Sequence, residues 1–166
     1  MTDTEPSSRI HSLEQLLTLR AQAAAVGRRV VLTNGCFDLL HRGHLTYLRQ
    51  SAALGDLLIV AVNSDASVRA LKGAGRPINH EQDRAYALAC LRSVEAVFIF
   101  PGPRLADEIT ALKPDIYTKA GDYSLDTLDP SERAALGSAG VEIVFLPFVA
   151  GHSTTSHLQR MRNPAS

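Results

Sequence analysis

The stretch VVLTNGCFDLLHRGHLTY, residues 30–47, contains the change of pattern that decides the fold. Its first four residues are apolar or β-branched and stop at Asn34-Gly35, which predicts a buried strand that ends in a turn. Leu45 and Leu48 are the first of the apolar residues that recur with the period of a helix. We therefore expect a strand, a polar loop and a helix in direct succession.

Two histidines stand where this helix is expected to begin. His41 and His44 are three residues apart, so they share one face of a helix. The first helical turn offers free backbone N–H groups and the positive end of the helix dipole, and Gly43 leaves room for a ligand beside the backbone. Two imidazoles in this place can donate hydrogen bonds to a phosphate during phosphoryl transfer, with no covalent nucleophile.

Two other interpretations of the histidines are an ordinary helix-cap or surface role and half of a zinc site. Imidazole is a common zinc ligand, and Asp38 offers a third donor. Cys36 lies in a tight turn, however, and the sequence contains no other Cys/His cluster that completes a tetrahedron. We therefore expect no metal ion held by protein ligands alone.

Composition restricts the class of protein. The 166 residues are 45% hydrophobic, enough for one domain with a substantial core. Lys+Arg and Asp+Glu are both 17, and this balance argues against binding to nucleic acid. Two cysteines form no disulfide framework, and we expect a reduced, cytoplasmic setting. We expect no signal peptide and no membrane segment, because no apolar run is suitable.

Strands and helices alternate along the rest of the chain. A second apolar run over 57–62 ends at Asn63-Ser64-Asp65, which we expect at the same sheet edge as Asp38. The pattern predicts a Rossmann-like, doubly wound α/β fold: a mostly parallel five-stranded sheet with helices on both faces. We expect a single domain over residues 10–162, which includes a leading helix at 12–26, and a flexible tail over 1–9. Neither the G-x-G-x-x-G nor the G-x-x-x-x-G-K-[ST] motif occurs in the expected place.

Two local predictions concern later helices. In the helix expected over 81–91, the pattern places Tyr86 and Cys90 toward the core. Asp129-Pro130-Ser131-Glu132 predicts a helix start in which Asp129 is the cap and Glu132 closes a capping box.

His41-Arg42-Gly43-His44 matches the HxGH signature of the nucleotidylyltransferase superfamily, and the run over 33–41 resembles its cytidylyltransferase-like branch. The chain is most similar to the family of adenylyltransferase domains that make ADP-heptose from D-glycero-D-manno-heptose 1-phosphate. This resemblance implies that a sugar 1-phosphate attacks the α-phosphorus of ATP and that pyrophosphate leaves. It also implies Mg²⁺ that enters with ATP and is held largely by phosphates and water.

The resemblance implies roles for particular residues. His41, His44 and Lys72 are the expected catalytic residues. The expected nucleotide-binding residues are Thr33, Asn34, Gly35, Cys36, Phe37, Gly43, Lys119, Gly121, Asp122, Ser153, Thr154 and Thr155. The expected binders of the sugar phosphate are Asp38, Asn63, Asp65, Arg76 and Arg84. The chain departs from the family pattern at Ala120, where glycine is usual, and at His152.

The resemblance further implies a homodimer, a separate heptose kinase and phosphatase, and a product used for lipopolysaccharide core or a surface glycan. Two alternatives remain open. One is a cytidylyltransferase that acts on glycerol 3-phosphate or a similar alcohol phosphate. The other is a nucleotide-binding sensor without turnover, against which both histidines, Lys72 and the Ser-Thr-Thr block argue.

Overall fold

A computed structural model describes residues 5–121 and 123–147, and these form a five-stranded sheet in the order β3-β2-β1-β4-β5. Every pair of neighbouring strands is parallel. This arrangement confirms the predicted Rossmann-like α/β fold. The strands are β1 (Val30–Gly35), β2 (Leu57–Asn63), β3 (Ala96–Phe100), β4 (Ile116–Ala120) and β5 (Glu142–Leu146).

Six α-helices join and cover these strands in the described part of the chain. They are α1 (Leu13–Ala25), α2 (Arg42–Ala52), α3 (Asp65–Lys72), α4 (Glu81–Ala89), α5 (Ala106–Leu112) and α6 (Pro130–Ser138). The leading helix begins with a capping box between Ser12 and Gln15, and Gly27 follows it with a φ of +70°. None of the helices in residues 5–121 and 123–147 is long and apolar enough to cross a membrane.

The sheet is apolar on both faces, as expected for parallel strands covered by helices. Val30 and Leu32 of β1 belong to the core beneath α1, α5 and α6, whereas Val31 between them belongs to the core beneath α2 and α4. The chain adds β2 and β3 on one side of β1 and then crosses over to add β4 and β5 on the other. The switch in direction leaves a crevice at the carboxyl ends of β1 and β4, where such folds bind ligands.

The apolar pattern did not mark the buried face everywhere. Leu45, where the apolar period of α2 begins, is 43% exposed. The prediction that Tyr86 and Cys90 face the core was wrong, because Tyr86 of α4 is 44% exposed and Cys90, which follows the last residue of α4, is exposed as well. The sheet-facing side of α4 starts at Arg84 and continues through Leu88. A buried arginine carries no hydrophobic signal, so the sequence pattern assigned the wrong face of this helix.

Residues 6–9, within the segment expected to be a flexible tail, form a short 3₁₀ helix against α4. The Arg9 guanidinium donates to the carbonyl oxygens of Ala89, Leu91 and Val94 at 3.1–3.4 Å. Ile10 forms a parallel bridge with Val97, and this contact covers part of the outer edge of β3.

The start of α6 follows the sequence only in part. Asp129 caps the helix by accepting a hydrogen bond from the Ser131 N–H at 2.9 Å, and Pro130 occupies the first turn. The predicted capping box is wrong, because Glu132 Oε1 accepts instead from the Leu105 N–H at 3.0 Å. That N–H stands at the start of α5, which packs against α6, so the tertiary contact replaces the local one.

Candidate active site

A cavity of about 350 Å³ opens at the carboxyl ends of β1, β2 and β4. The fold therefore places it at the switch point of the sheet. Its lining includes predicted site residues, namely Asn34, Gly35, Cys36, Phe37, Asp38, His44, Asn63, Lys72 and Lys119. It also includes residues to which the sequence analysis assigned no ligand contact, namely Tyr47, Leu71, Pro103, Arg104, Ala120, Tyr123 and Glu132.

The two histidines form a stacked pair at the start of α2. Their ring centroids are 3.9 Å apart and the ring planes differ by 24°. His41 is the N-cap residue in extended conformation, and His44 lies in the first turn and lines the cavity. The positive end of the helix dipole and both imidazoles therefore stand together beside the cavity, as the sequence predicted.

The turn after β1 supports this pair. Phe37 has a φ of +48°, a left-handed conformation that is uncommon for a residue with a side chain, and its ring meets the edge of the His44 ring at 5.5 Å. A Cβ at Gly35 would lie only 3.0 Å from the Phe37 ring. A side chain at position 35 would therefore crowd Phe37, which in turn packs against His44.

Asn34 forms a polar cluster with two residues of β4. Its Oδ1 accepts hydrogen bonds from Tyr117 Oη and Lys119 Nζ, both at 2.7 Å. An ammonium group can only donate, so these contacts fix the amide with its oxygen toward Lys119 and its NH₂ group directed elsewhere. Asn34 lines the cavity, and within residues 5–121 and 123–147 its NH₂ group donates to no other group, so it can donate a hydrogen bond to a ligand.

Burial alters the acid–base properties of this cluster. Desolvation lowers the pKa of Lys119 and raises the pKa of Tyr117 well above its ordinary value. The Lys119 ammonium lies 5.6 Å from the ring centre of Tyr117 and 5.3 Å from that of Tyr123, within the range of a cation–π contact. A partly buried ammonium beside the cavity favours an anionic ligand, whose charge would offset the cost of its desolvation.

Beside the cavity, hydrogen bonds between hydroxyl groups connect α2 to β1 and β4, the two strands that border the switch point. Tyr47 Oη lies 2.6 Å from Thr33 Oγ1 and 3.0 Å from Thr118 Oγ1, and Ser51 Oγ lies 3.0 Å from Thr118 Oγ1. All four residues are buried, and burial raises the pKa of Tyr47. Tyr47 follows His44 by three residues and so shares its helical face, a signal in the sequence that we did not use.

Asp38 lines the cavity, but the carboxylate is engaged by the loop that follows α3. It accepts hydrogen bonds from the backbone N–H groups of Ile78 at 2.8 Å and Asn79 at 2.9 Å, and it lies 2.9 Å from the guanidinium of Arg76. Two backbone donors and one ion pair therefore tie that loop to the end of β1. Lys72 precedes the same loop and lines the cavity.

Arg84 is fully buried and connects four separate segments of the chain. Its guanidinium donates to the carbonyl oxygens of Cys36 (2.5 Å), Asn63 (2.7 Å) and Asn79 (3.0 Å), and to Asp65 Oδ1 (2.9 Å). Burial by itself would raise the pKa of Asp65, but hydrogen bonds from Arg84 and His80 outweigh it and hold that pKa below its usual value.

Several predicted site residues do not line the cavity. These are Thr33, His41, Gly43, Asp65, Arg76, Arg84 and Gly121. Asp122, His152, Ser153, Thr154 and Thr155 lie outside the described residues. Within residues 5–121 and 123–147, no group of three or more His, Cys, Asp or Glu side chains is arranged to hold a metal ion. The ligand roles of all these residues stay predictions.

Comparison with known proteins adds to this geometry. Residues 32–157 match the model of the cytidylyltransferase-like family. The chain is 48% identical over 152 residues to the bifunctional protein HldE of Methylococcus capsulatus, covering 92% of this chain and 32% of that protein. It is 47% identical over 150 residues to HldE of Pseudomonas syringae, with coverages of 90% and 31%. The chain thus spans about a third of the length of these relatives.

Two solved structures resemble the fold. A lipopolysaccharide core biosynthesis protein of Thermoplasma volcanium superimposes with a TM-score of 0.61 at 29% identity, over 74% of this chain and 98% of that one. Pantoate-β-alanine ligase of Francisella tularensis superimposes with a TM-score of 0.52 over 83% of this chain and 66% of that one. At 13% identity, the second likeness shows a shared fold alone.

Proposed function

The chain belongs to the cytidylyltransferase-like family, and on this premise we propose that it is an adenylyltransferase that joins ATP to D-glycero-D-manno-heptose 1-phosphate. The products are ADP-heptose and pyrophosphate. The observation that carries the proposal is the stacked pair of His41 and His44 at the start of α2, with His44 in the cavity at the switch point of the sheet. The names of the relatives, HldE and a lipopolysaccharide core biosynthesis protein, support a sugar phosphate as the second substrate.

The reaction requires positioning and charge stabilisation. A phosphate oxygen of the sugar 1-phosphate forms a bond to the α-phosphorus of ATP, and the bond from that phosphorus to the bridging oxygen breaks in line. The histidines donate hydrogen bonds to the transferring phosphate and the leaving group as negative charge develops there. Lys72, at the end of α3, provides positive charge for the triphosphate without a proton transfer. Mg²⁺ is expected to enter with ATP, with phosphates and water as its main ligands.

The remaining parts of the proposal concern the setting of the reaction. The heptose 1-phosphate has to be supplied by a kinase and a phosphatase, and the consumption of ATP favours the cytoplasm. We propose a homodimer as the assembly, which sedimentation at several protein concentrations would test.

Pyrophosphate release tests the function. The purified chain is supplied with Mg²⁺ and with ATP or CTP, each combined with either anomer of heptose 1-phosphate or with glycerol 3-phosphate. We expect turnover with ATP and one heptose 1-phosphate. Turnover only with CTP and glycerol 3-phosphate would retain the mechanism and replace the substrates. Tight nucleotide binding without pyrophosphate release from any pair would instead identify a sensor.

A further inference from the structure

Glu132 is a buried acidic residue in the wall of the cavity. Only 3% of its surface is exposed, and it projects from the first turn of α6. Its Oε1 is engaged by the Leu105 N–H at 3.0 Å, the only hydrogen bond to this carboxylate within residues 5–121 and 123–147. The other oxygen therefore retains its capacity to accept hydrogen bonds, and Glu132 lines the cavity.

The nearby cations do not form ion pairs with Glu132 within the described parts of the chain. Arg104 pairs with Asp129 at 2.7 Å, and the Lys119 ammonium donates to Asn34 Oδ1 at 2.7 Å. The negative charge of Glu132 nevertheless acts on Lys119. It partly offsets the lowering of the Lys119 pKa that burial causes. A buried carboxylate without a close cation is costly unless hydrogen-bond donors satisfy it, and a ligand in the cavity can supply them.

The charge of Glu132 also indicates which part of a nucleotide it meets. His44 and Lys72 line the same cavity and suit phosphates, whereas a carboxylate in a poorly solvated wall repels them. The part of the ligand beside Glu132 is therefore expected to be uncharged and to carry N–H or O–H donors. In a nucleoside triphosphate, that part is the nucleoside.

We propose that Glu132 selects the base of the nucleotide by accepting a hydrogen bond from an exocyclic amino group. The inference rests on the proposed function and deepens it. Adenine and cytosine carry such an amino group, whereas hypoxanthine has a carbonyl oxygen in its place. With that base, two acceptors would face each other with no proton between them. Sites built around a hydrogen bond to the substrate can reject an analogue that lacks it by several orders of magnitude.

The test compares ATP, ITP and 2′-deoxyATP with three proteins: the unchanged chain, Glu132→Gln and Glu142→Gln. Glutamine at 132 keeps an oxygen for the Leu105 N–H and replaces the other oxygen with a donor NH₂ group. Glu142 is a matched control, because its carboxylate is on the surface and pairs with Arg29 at 2.6 Å. The measurements are kcat/KM for pyrophosphate release and Kd from titration calorimetry.

We expect the unchanged chain and Glu142→Gln to prefer ATP over ITP by about 100-fold or more. In Glu132→Gln, that ratio should fall at least about tenfold, because the new NH₂ group suits the carbonyl of ITP. The preference for ATP over 2′-deoxyATP should be unaltered. Each ratio is measured within one variant, so a partly unfolded preparation does not distort it.

An unaltered ratio of ATP to ITP in Glu132→Gln would overturn the inference. So would a change confined to the ratio of ATP to 2′-deoxyATP, since Glu132 would then contact the ribose. The Kd values separate this inference from the proposed function. A changed binding ratio in a chain without turnover would support the inference and refute the proposed enzyme, whereas turnover with an unaltered ratio would do the reverse.

Discussion

Two polar clusters lie at the same edge of the sheet and have different functions. The cavity cluster consists of Asn34, His44, Lys119 and Glu132, and the clamp consists of Asp38, Asp65, Arg76 and Arg84. Both draw their residues from the carboxyl ends of strands and the segments that follow. Every residue of the cavity cluster lines the cavity, whereas in the clamp Asp38 alone does. The polar atoms of the clamp are occupied by the chain itself, chiefly by backbone groups.

The difference shows that residue type and sheet edge together do not identify a ligand site. What separates the clusters is whether the polar side chains line the cavity or hold neighbouring segments of the chain together. Substitutions in the clamp should therefore act first on stability, and substitutions in the cavity cluster should act on binding and turnover. The following predictions test that distinction, beginning with the largest expected effect.

Arg84→Met should lower the free energy of unfolding by about 3–5 kcal/mol, since it leaves Asp65 and three carbonyl oxygens without their buried donor. Urea denaturation measures the change, with the exposed Arg92→Met as the control. If Arg84→Met were as stable as the control and only weakened binding of the sugar phosphate, Arg84 would belong to the substrate site, as the sequence suggested.

His44→Ala should lower kcat by about 10²–10³-fold, because hydrogen-bond donors to the developing charge often contribute that much. Its unfolding free energy should change by no more than about 1 kcal/mol, since His44 is only half-buried. Pyrophosphate release measures the rate, and His80→Ala is the control because the His80 side chain is 87% exposed. A parental rate in His44→Ala would refute the catalytic role of this histidine.

Asp38→Asn is the intermediate case, because Asp38 lines the cavity and also belongs to the clamp. We expect a loss of about 1–3 kcal/mol in unfolding free energy, since the ion pair with Arg76 disappears and an acceptor becomes a donor beside backbone N–H groups. Asp126→Asn, with its side chain 98% exposed, is the control in thermal or urea unfolding. Unaltered stability together with a raised KM for the sugar phosphate would show that Asp38 belongs to the substrate site and not to the clamp.

Asn34→Asp should weaken ATP binding by about tenfold, or roughly 1.4 kcal/mol, while the protein stays as stable as before. Aspartate still accepts hydrogen bonds from Tyr117 and Lys119, but it offers no donor to the cavity and neutralises the Lys119 charge. Titration calorimetry measures the affinity. Unchanged affinity would mean that Asn34 only positions Lys119.

Much of the fold could be predicted because its signals are local. The apolar runs that became β1 and β2 depend only on residues close in sequence. The histidine pair could be predicted for the same reason, because three residues on a helix bring two side chains together. The face of α4 was mispredicted because Arg84 is charged, and its burial depends on acceptors far away in sequence.

Glu132 illustrates what sequence reasoning could not reach. Glu132 follows Asp129 by three residues, which fits a capping box. The local sequence rule therefore predicted a contact at the helix start that Glu132 does not make. The actual partner is the N–H of Leu105, which is 27 positions away and is brought near by the packing of α5 on α6. A rule that considers only residues close in sequence cannot identify a competing donor such as the Leu105 N–H.

The sequence by itself determined the Rossmann-like sheet, the edge at which its ligand site lies and the two histidines that begin α2. These features follow from hydrophobic period, turn residues and the handedness of parallel crossovers, all of which operate over short stretches of chain. The tertiary structure alone decided that Arg84 is buried within the chain while Glu132 and Tyr47 border the cavity. The physical reason is that each buried polar group must find partners, and packing chooses those partners among residues distant in sequence.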